Sequence, residues 1–299
     1  LLLLSDSKEP IVKGDILYYG DIDKWKRFGN SLLLRLGMRM ENVDITTAKA
    51  LIARAVQGGV MQSVDDICMV QHVEGKAATE NPLGYVFNSH GLLGSGAIKI
   101  SKTFMEQLKR TNDPRMQVYC ALPNGNIDRD KQKGLINGYD VLTISEGDPT
   151  YTRLSDYSTF NPATLLQLDA PTIYMTHAEI ELLQAEAVVN GYITGDAKTH
   201  YESAVYSSMK QQAVYGDAGI IPEAEIEEYL AQNLFDQART TDEKLNVIGT
   251  EFWVSTFLNG YESYANWRRS GYPKLTPTNY PSSPNQGKIP RRFKYPTEE

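Results

Sequence analysis

Apolar residues recur at helical spacing in two separated blocks of the chain. In the first, Asn30 to Met40 reads NSLLLRLGMRM, which sets Leu32, Leu36 and Met40 on one helix face and Arg35 and Arg39 on another. Asp44 is placed to cap a second helix, in which Ala48, Leu51, Ile52, Ala55 and Val56 repeat until Gly58 and Gly59 stop it. In the second block, Thr176 and Glu179 form a capping-box pattern ahead of Ile180, Leu183, Ala187 and Val188, and Gly191 ends that helix. A turn at 193–195 leads to a partner helix carrying Ala197, Tyr201, Ala204, Val205 and Ser208.

The two blocks share a spacing. Ala48, Ile52 and Ala55 in one match Ala197, Tyr201 and Ala204 in the other, and Ala185 supplies a small residue twelve positions before Ala197. Small, large, small at this spacing lets two helices approach closely while one bulky side chain fills the groove, as in tetratricopeptide hairpins. Further helices follow. Pro222 opens one carrying Ile226, Tyr229, Leu230 and Leu234, and Thr240 with Glu243 caps one carrying Leu245, Ile248 and Phe252. Tyr261 to Arg269 forms a last short helix, closed by Gly271 and Pro273.

From Gly75 to Asn161 glycines and prolines punctuate the chain too often for any long helix except Ser101 to Arg110. The expected fold is therefore mainly α: tetratricopeptide-like helix hairpins in an α–α superhelix, with long irregular loops and short β-strands. One domain spans 1–299, with 75–161 as a loop-rich insertion draped over the scaffold and 273–299 as an extended tail.

Composition narrows the functions open to this fold. The chain has 299 residues, and 30 Lys+Arg against 37 Asp+Glu give it a net charge of −7, which argues against a nucleic-acid partner. Cys68 and Cys120 allow at most one disulfide. The apolar run Leu1 to Leu4 is far shorter than the ~20 residues that cross a bilayer.

Catalytic signals are thin. His72, His90, His177 and His200 are scattered, with no H-E-x-x-H, paired Cys-x2-Cys or G-x-S-x-G pattern, so no metal or cofactor is expected. Gly94 and Gly96 lack the third glycine of a dinucleotide fingerprint, and His177 with Glu181 reads as a surface or partly packed histidine rather than a ligand. Glu223, Glu225, Glu227 and Glu228 read as a solvated helix start. Arg268 with Arg269, and Arg291 with Arg292, read as dipole compensation and surface pairing.

Aromatic residues are more suggestive. Tyrosine outnumbers phenylalanine 18 to 8, and Tyr85, Tyr119, Tyr139, Tyr151 and Tyr157 fall in the irregular middle beside Asn124, Asn126, Asp128 and Asp156. Tyrosine faces stack on sugars while amides and carboxylates bond their hydroxyls, an arrangement that binds without reacting. The candidate ligand-binding residues are Tyr85, Asn126, Tyr139, Tyr151, Asp156 and Tyr157. The alternative for each ring is that it plugs a loop onto the helical body.

The order of several motifs carries a resemblance. GDILYYGDIDKWKRFGNSLLLRLGMRM (Gly14 to Met40) is followed by Asn112-Asp113-Pro114-Arg115, Asn137-Gly138-Tyr139 and YMTHAEIELLQAEAVVNG (Tyr174 to Gly191). Glu262, then Trp267 to Pro273, then Ile289 to Arg292 with Tyr295-Pro296 complete the series. In this succession the chain resembles the SusD/RagB-like nutrient-binding outer-membrane lipoproteins. The resemblance implies tetratricopeptide-like helices and non-catalytic capture of oligosaccharide or another nutrient at the outer-membrane surface. It also implies delivery to a SusC-like TonB-dependent transporter. It places a lipidated cysteine and further helices before Leu1, and more chain beyond Glu299, so that membrane association runs only through an anchor this sequence does not contain. No ligand residue transfers by motif, and Trp25 reads as packing. The competing readings are a helical-repeat adaptor for protein partners and, less favoured, a glycoside hydrolase with converging carboxylates.

Overall fold

The computed structural model describes residues 14–89, 98–139, 142–278, 280 and 286–292. His90, Gly94 and Gly96 lie outside them. Asp21 caps α1 (Ile22–Met40) and Asp44 caps α2 (Ile45–Gln57), each accepting a hydrogen bond from the backbone three residues on. These two helices form the first hairpin. The second pairs α7 (His177–Val189) with α8 (Ala197–Lys210). Between them lie α3 (Pro82–Ser89), α4 (Lys102–Arg110), α5 (Arg115–Tyr119) and α6 (Ile144–Gly147); after them come α9 (Glu223–Leu230), α10 (Leu234–Gln237), α11 (Thr241–Ser255) and α12 (Gly260–Ser270). Short antiparallel pairs join β1 (Cys68–Val70) to β4 (Thr172–Met175) and β2 (Cys120–Ala121) to β3 (Thr159–Phe160).

The small–large–small spacing does what it predicts. Ala48, Ile52, Ala55, Ala185 and Ala204 are fully buried and Tyr201 nearly so, while Ala197 is half-buried against the same core. The face of α1 is a correction: Leu36 is 45% exposed, while Ser31, Leu34, Gly37 and Met38 are buried. The reason is Gly37, where an added Cβ would stand 3.0 Å from Ile52 Cγ1, so α2 sits on this small-residue side. A second correction concerns residues 75–161. Rather than lying over the scaffold, they send Ile100, Phe104, Met105, Leu108, Met116, Val118, Tyr119 and Cys120 into the same core as Leu34, Ile52, Leu183 and Phe252. Cys68 and Cys120 are both buried and free. Trp25 packs edge-on against Tyr18 and donates to Asp15 Oδ2 at 2.8 Å.

Helix α7 is central, touching α8, α11 and α1, and it is buried on nearly every side. Its polar residues are therefore partnered inside the protein. Glu179 completes only half of the expected capping box: its backbone N–H bonds Thr176 Oγ1 at 3.1 Å, but its carboxylate turns to Arg35. Arg35 Nε and Nη2 donate to the two Glu179 oxygens at 2.6 and 2.7 Å, and Glu262 of α12 accepts from Arg39 at 2.5 Å. Thr240 and Glu243 make the complete box at α11.

Arg269 corrects the surface reading of its arginine pair. It is buried, and bonds Glu186 through both nitrogens at 2.6 Å and Glu41 at 2.5 Å. A third cluster surrounds Arg115, which has no exposed surface. It bonds Asp113 at 2.6 Å, Ser208 at 2.7 Å and both oxygens of Glu251.

Removing one partner of a buried charge cluster costs ~3–5 kcal/mol, because the remaining charges stay desolvated. Arg115→Ala should lower stability by about that amount in chemical denaturation. Arg129→Ala, half-exposed against Glu225, should cost less than about 1 kcal/mol.

A pH dependence follows from Glu181. Burial raises its carboxyl, but hydrogen bonds from His177 and His200 outweigh burial and bring it from 4.5 to about 2. The depressed value contributes stability above pH 4.5 that is lost as pH falls to about 2. Melting temperature followed across that window should fall less steeply in Glu181→Gln than in the parent chain.

Candidate functional site

Four of the six candidate residues, Tyr139, Tyr151, Asp156 and Tyr157, are close in sequence, and the structure brings Tyr151 and Tyr157 into contact. The Tyr139 ring lies over Gly147 in α6, where an added Cβ would stand 2.6 Å from it, and Tyr280 packs on Tyr139 with ring centroids 6.3 Å apart. Asp148 follows α6 and accepts from Thr150 Oγ1 and Tyr157 OH, both at 2.6 Å. Lys133 Nζ donates to Thr150 Oγ1 and Tyr157 OH at 3.0 Å each and lies 3.1 Å from Asp148. These bonds hold Tyr157 in place, and its ring has no exposed surface. Tyr157 therefore has no face free for a sugar, which corrects its reading as half of a two-ring platform. The half-buried Tyr151 stacks on it, with centroids 6.0 Å apart and planes at 30°.

The surrounding carboxylates are ordered and acidic. Hydrogen bonds from Thr150 and Tyr157, and beyond them from Lys133, hold Asp148 well below the usual carboxylate range. Asp156 is lowered in the same direction by Thr152 and Arg153. A general acid for glycoside hydrolysis needs a carboxyl shifted the other way.

Asn126 and Tyr85 are placed differently. The Asn126 side-chain oxygen accepts from the Asp128 backbone at 2.8 Å, closing a turn. Tyr85 is 37% exposed on α3, a helix seated by contact of Phe87 with Phe160 at 5.6 Å.

A groove of about 360 Å³ opens elsewhere, walled by the start of α3, strand β4, the first turn of α7, residues 211–215 and residues 255–259. Phe257 stacks on Tyr119 at 4.6 Å and on Phe104 at 4.8 Å, making one wall a rigid aromatic slab. The Gln212 amide is spent on Tyr119 OH and the Ser208 carbonyl. Glu179 also reaches the groove. Burial pushes its carboxyl up to about 7 against the lowering by Arg35, and the guanidinium engages both of its oxygens. Sequence reasoning missed this groove, because six stretches of chain far apart in sequence build it.

A family model described as starch-binding associating with outer membrane, of the SusD-like type, matches residues 2–296. Among solved structures, a chitin-binding protein superposes with TM-score 0.79 at 30% identity, covering 96% of this chain and 61% of its own. A chitin-binding SusD homolog from Flavobacterium johnsoniae gives 0.68 at 26% identity, over 88% of this chain and 54% of its own. A SusD homolog from Bacteroides fragilis gives 0.80 at 24% identity, over 99% of this chain and 65% of its own, a likeness of fold alone. The chain thus spans less than two-thirds of the length of each. A comparison with curated proteins gives no match. The helix hairpins, the mainly α architecture and a family match along nearly the whole sequence agree, and the chain belongs to the SusD-like family.

Proposed function

We propose that this chain binds an oligosaccharide without reacting with it, at the outer-membrane surface, as part of a lipid-anchored protein that delivers the sugar to a SusC-like TonB-dependent transporter. The observation that carries the binding role is Tyr151, a half-buried ring set on the buried and hydrogen-bonded Tyr157. A ring fixed from behind keeps one face for stacking and loses little side-chain freedom when a sugar arrives, so more of the contact energy appears as affinity. The two similar structures named as chitin-binding support a glycan as the ligand. The low-lying carboxyls of Asp148 and Asp156 supply no general acid beside Tyr151.

Tyr151→Ala should weaken glycan binding about five-fold in calorimetry, the effect of losing ~1 kcal/mol of stacking, with melting temperature unchanged. Tyr157→Ala should instead cost ~3–5 kcal/mol of stability, as truncation of a buried ring does. Equal loss of stability in both variants would identify the pair as a plug only.

Incubation with a broad polysaccharide panel should release no reducing ends above a heat-killed control. Affinity purification of the full-length protein from membranes should recover a large outer-membrane β-barrel. Recovery of soluble proteins alone would favour the helical-repeat adaptor.

A further inference from the structure

Helix α12 and the segment after it form a cationic patch on an acidic protein. Residues 260–292 carry Arg268, Arg269, Lys274, Lys288, Arg291 and Arg292 against one carboxylate, Glu262, while the whole chain has a net charge of −7. Arg269 is spent on Glu186 and Glu41, Lys274 on Asp242, and Glu262 on Arg35 and Arg39. Arg268 and Arg291 do not form the surface ion pairs expected of them with any described residue. Instead Arg268 lies over the Tyr264 ring at 5.7 Å and Arg291 over the Trp267 ring at 5.3 Å. The two rings are themselves stacked, with centroids 6.1 Å apart and planes at 18°. Tyr264 OH donates to the Pro290 carbonyl, and Arg291 Nη1 to the Arg268 carbonyl at 3.4 Å, so Pro290 and Arg291 are fastened along α12 and the Arg291 guanidinium stands against the Arg268 backbone.

The helix dipole accounts for Arg268 in the last turn of α12, but not for Arg291, which lies outside any helix. A guanidinium held over a ring keeps its charge and loses side-chain freedom, while the N–H fork at its edge stays available. Both arginines are exposed, so their forks face solvent. A planar fork meets a planar carboxylate in two parallel hydrogen bonds. Beside them opens a cavity of about 280 Å³, walled by Trp253, Trp267, Tyr272, Pro273, Leu275 and Ile289. Its volume is close to the lower end of small-molecule sites, ~300 Å³, and its walls are largely apolar, so an inorganic anion alone would leave it unfilled. Tyr261, 95% exposed, extends the Tyr264 face of α12 by one turn. A ligand that suits this place combines an apolar ring face with an acid group at its edge.

We propose that α12 and residues 286–292 form a site for acidic oligosaccharides, in which Arg268 and Arg291 hold the carboxylate of a uronic acid unit and the cavity beside Trp267 takes the apolar face of the sugar. The assignment rests on the glycan-binding reading above and adds to it the charge of the sugar, which stacking on Tyr151 does not select.

Tetramers of galacturonate, glucuronate and mannuronate, each compared with its fully methyl-esterified form, isolate charge on a constant backbone. In calorimetry at low salt the parent chain should bind at least one acid about ten-fold tighter than its ester, as one or two charge-assisted hydrogen bonds allow. The preference should shrink as salt is raised, because the patch is exposed. The double variant Arg268→Gln with Arg291→Gln should keep the parent's melting temperature and bind acid and ester alike. Arg268→Lys with Arg291→Lys keeps the charge and loses the fork, and its preference should fall between the two. Failure of the parent chain to prefer any acid over its ester overturns the proposal and leaves the glycan-binding reading intact. So does an acid preference that survives the double Gln variant. Binding to vesicles containing anionic lipid, lost in the double Gln variant while acid and ester bind the parent chain alike, overturns it in favour of a membrane surface. Binding of no glycan from a broad neutral and acidic panel overturns both readings.

Discussion

Buried guanidiniums set the relative positions of the helices. Arg35, Arg115 and Arg269 each hold a carboxylate from a different part of the chain, and these carboxylates, Glu179, Glu251 and Glu186, are themselves buried on α7 and α11. Desolvating such charges is costly, and a displaced partner leaves that cost uncompensated. Apolar packing alone tolerates sliding of one helix over another by a fraction of a turn. A two-toothed guanidinium–carboxylate contact does not, because both hydrogen bonds demand one orientation. The three clusters therefore act as registration points, and the groove wall carrying Glu179 inherits its position from one of them.

The hairpins were legible because their signal is local. Ala48-x3-Ile52-x2-Ala55 and Ala197-x3-Tyr201-x2-Ala204 describe how one helix meets the next, and the caps Asp44 and Thr240 are read within three residues of their partners. The orientation of α1 was not legible. Periodicity treats an arginine as a mark of solvent, whereas Arg35 faces inward to a glutamate 144 residues away. Helix α3 was hidden for a related reason. Gly84 looks like a breaker, but it brings the helix against the Leu166 and Gln167 carbonyls, which would stand 2.8 Å from any Cβ there, while Asn81 caps the first turn.

The candidate site was legible as a region and not residue by residue. Nothing in the sequence separates Tyr151 from Tyr157; the difference comes from Lys133 and Asp148, which draw one phenol inward and leave the other ring on top.

The same registration points impose an order on the birth of the protein. Arg39 precedes its partner Glu262 by 223 residues, and Arg269 lies 228 residues after Glu41. At ~5–20 residues per second of synthesis, α1 emerges roughly 10 to 45 s before α12 can reach it. Through that interval the first hairpin carries cationic side chains whose anionic partners have yet to be made, so its inner face stays hydrated and its apolar surface stays open. A chain wired in this way completes the ion pairs of its first hairpin only after α12 has been made.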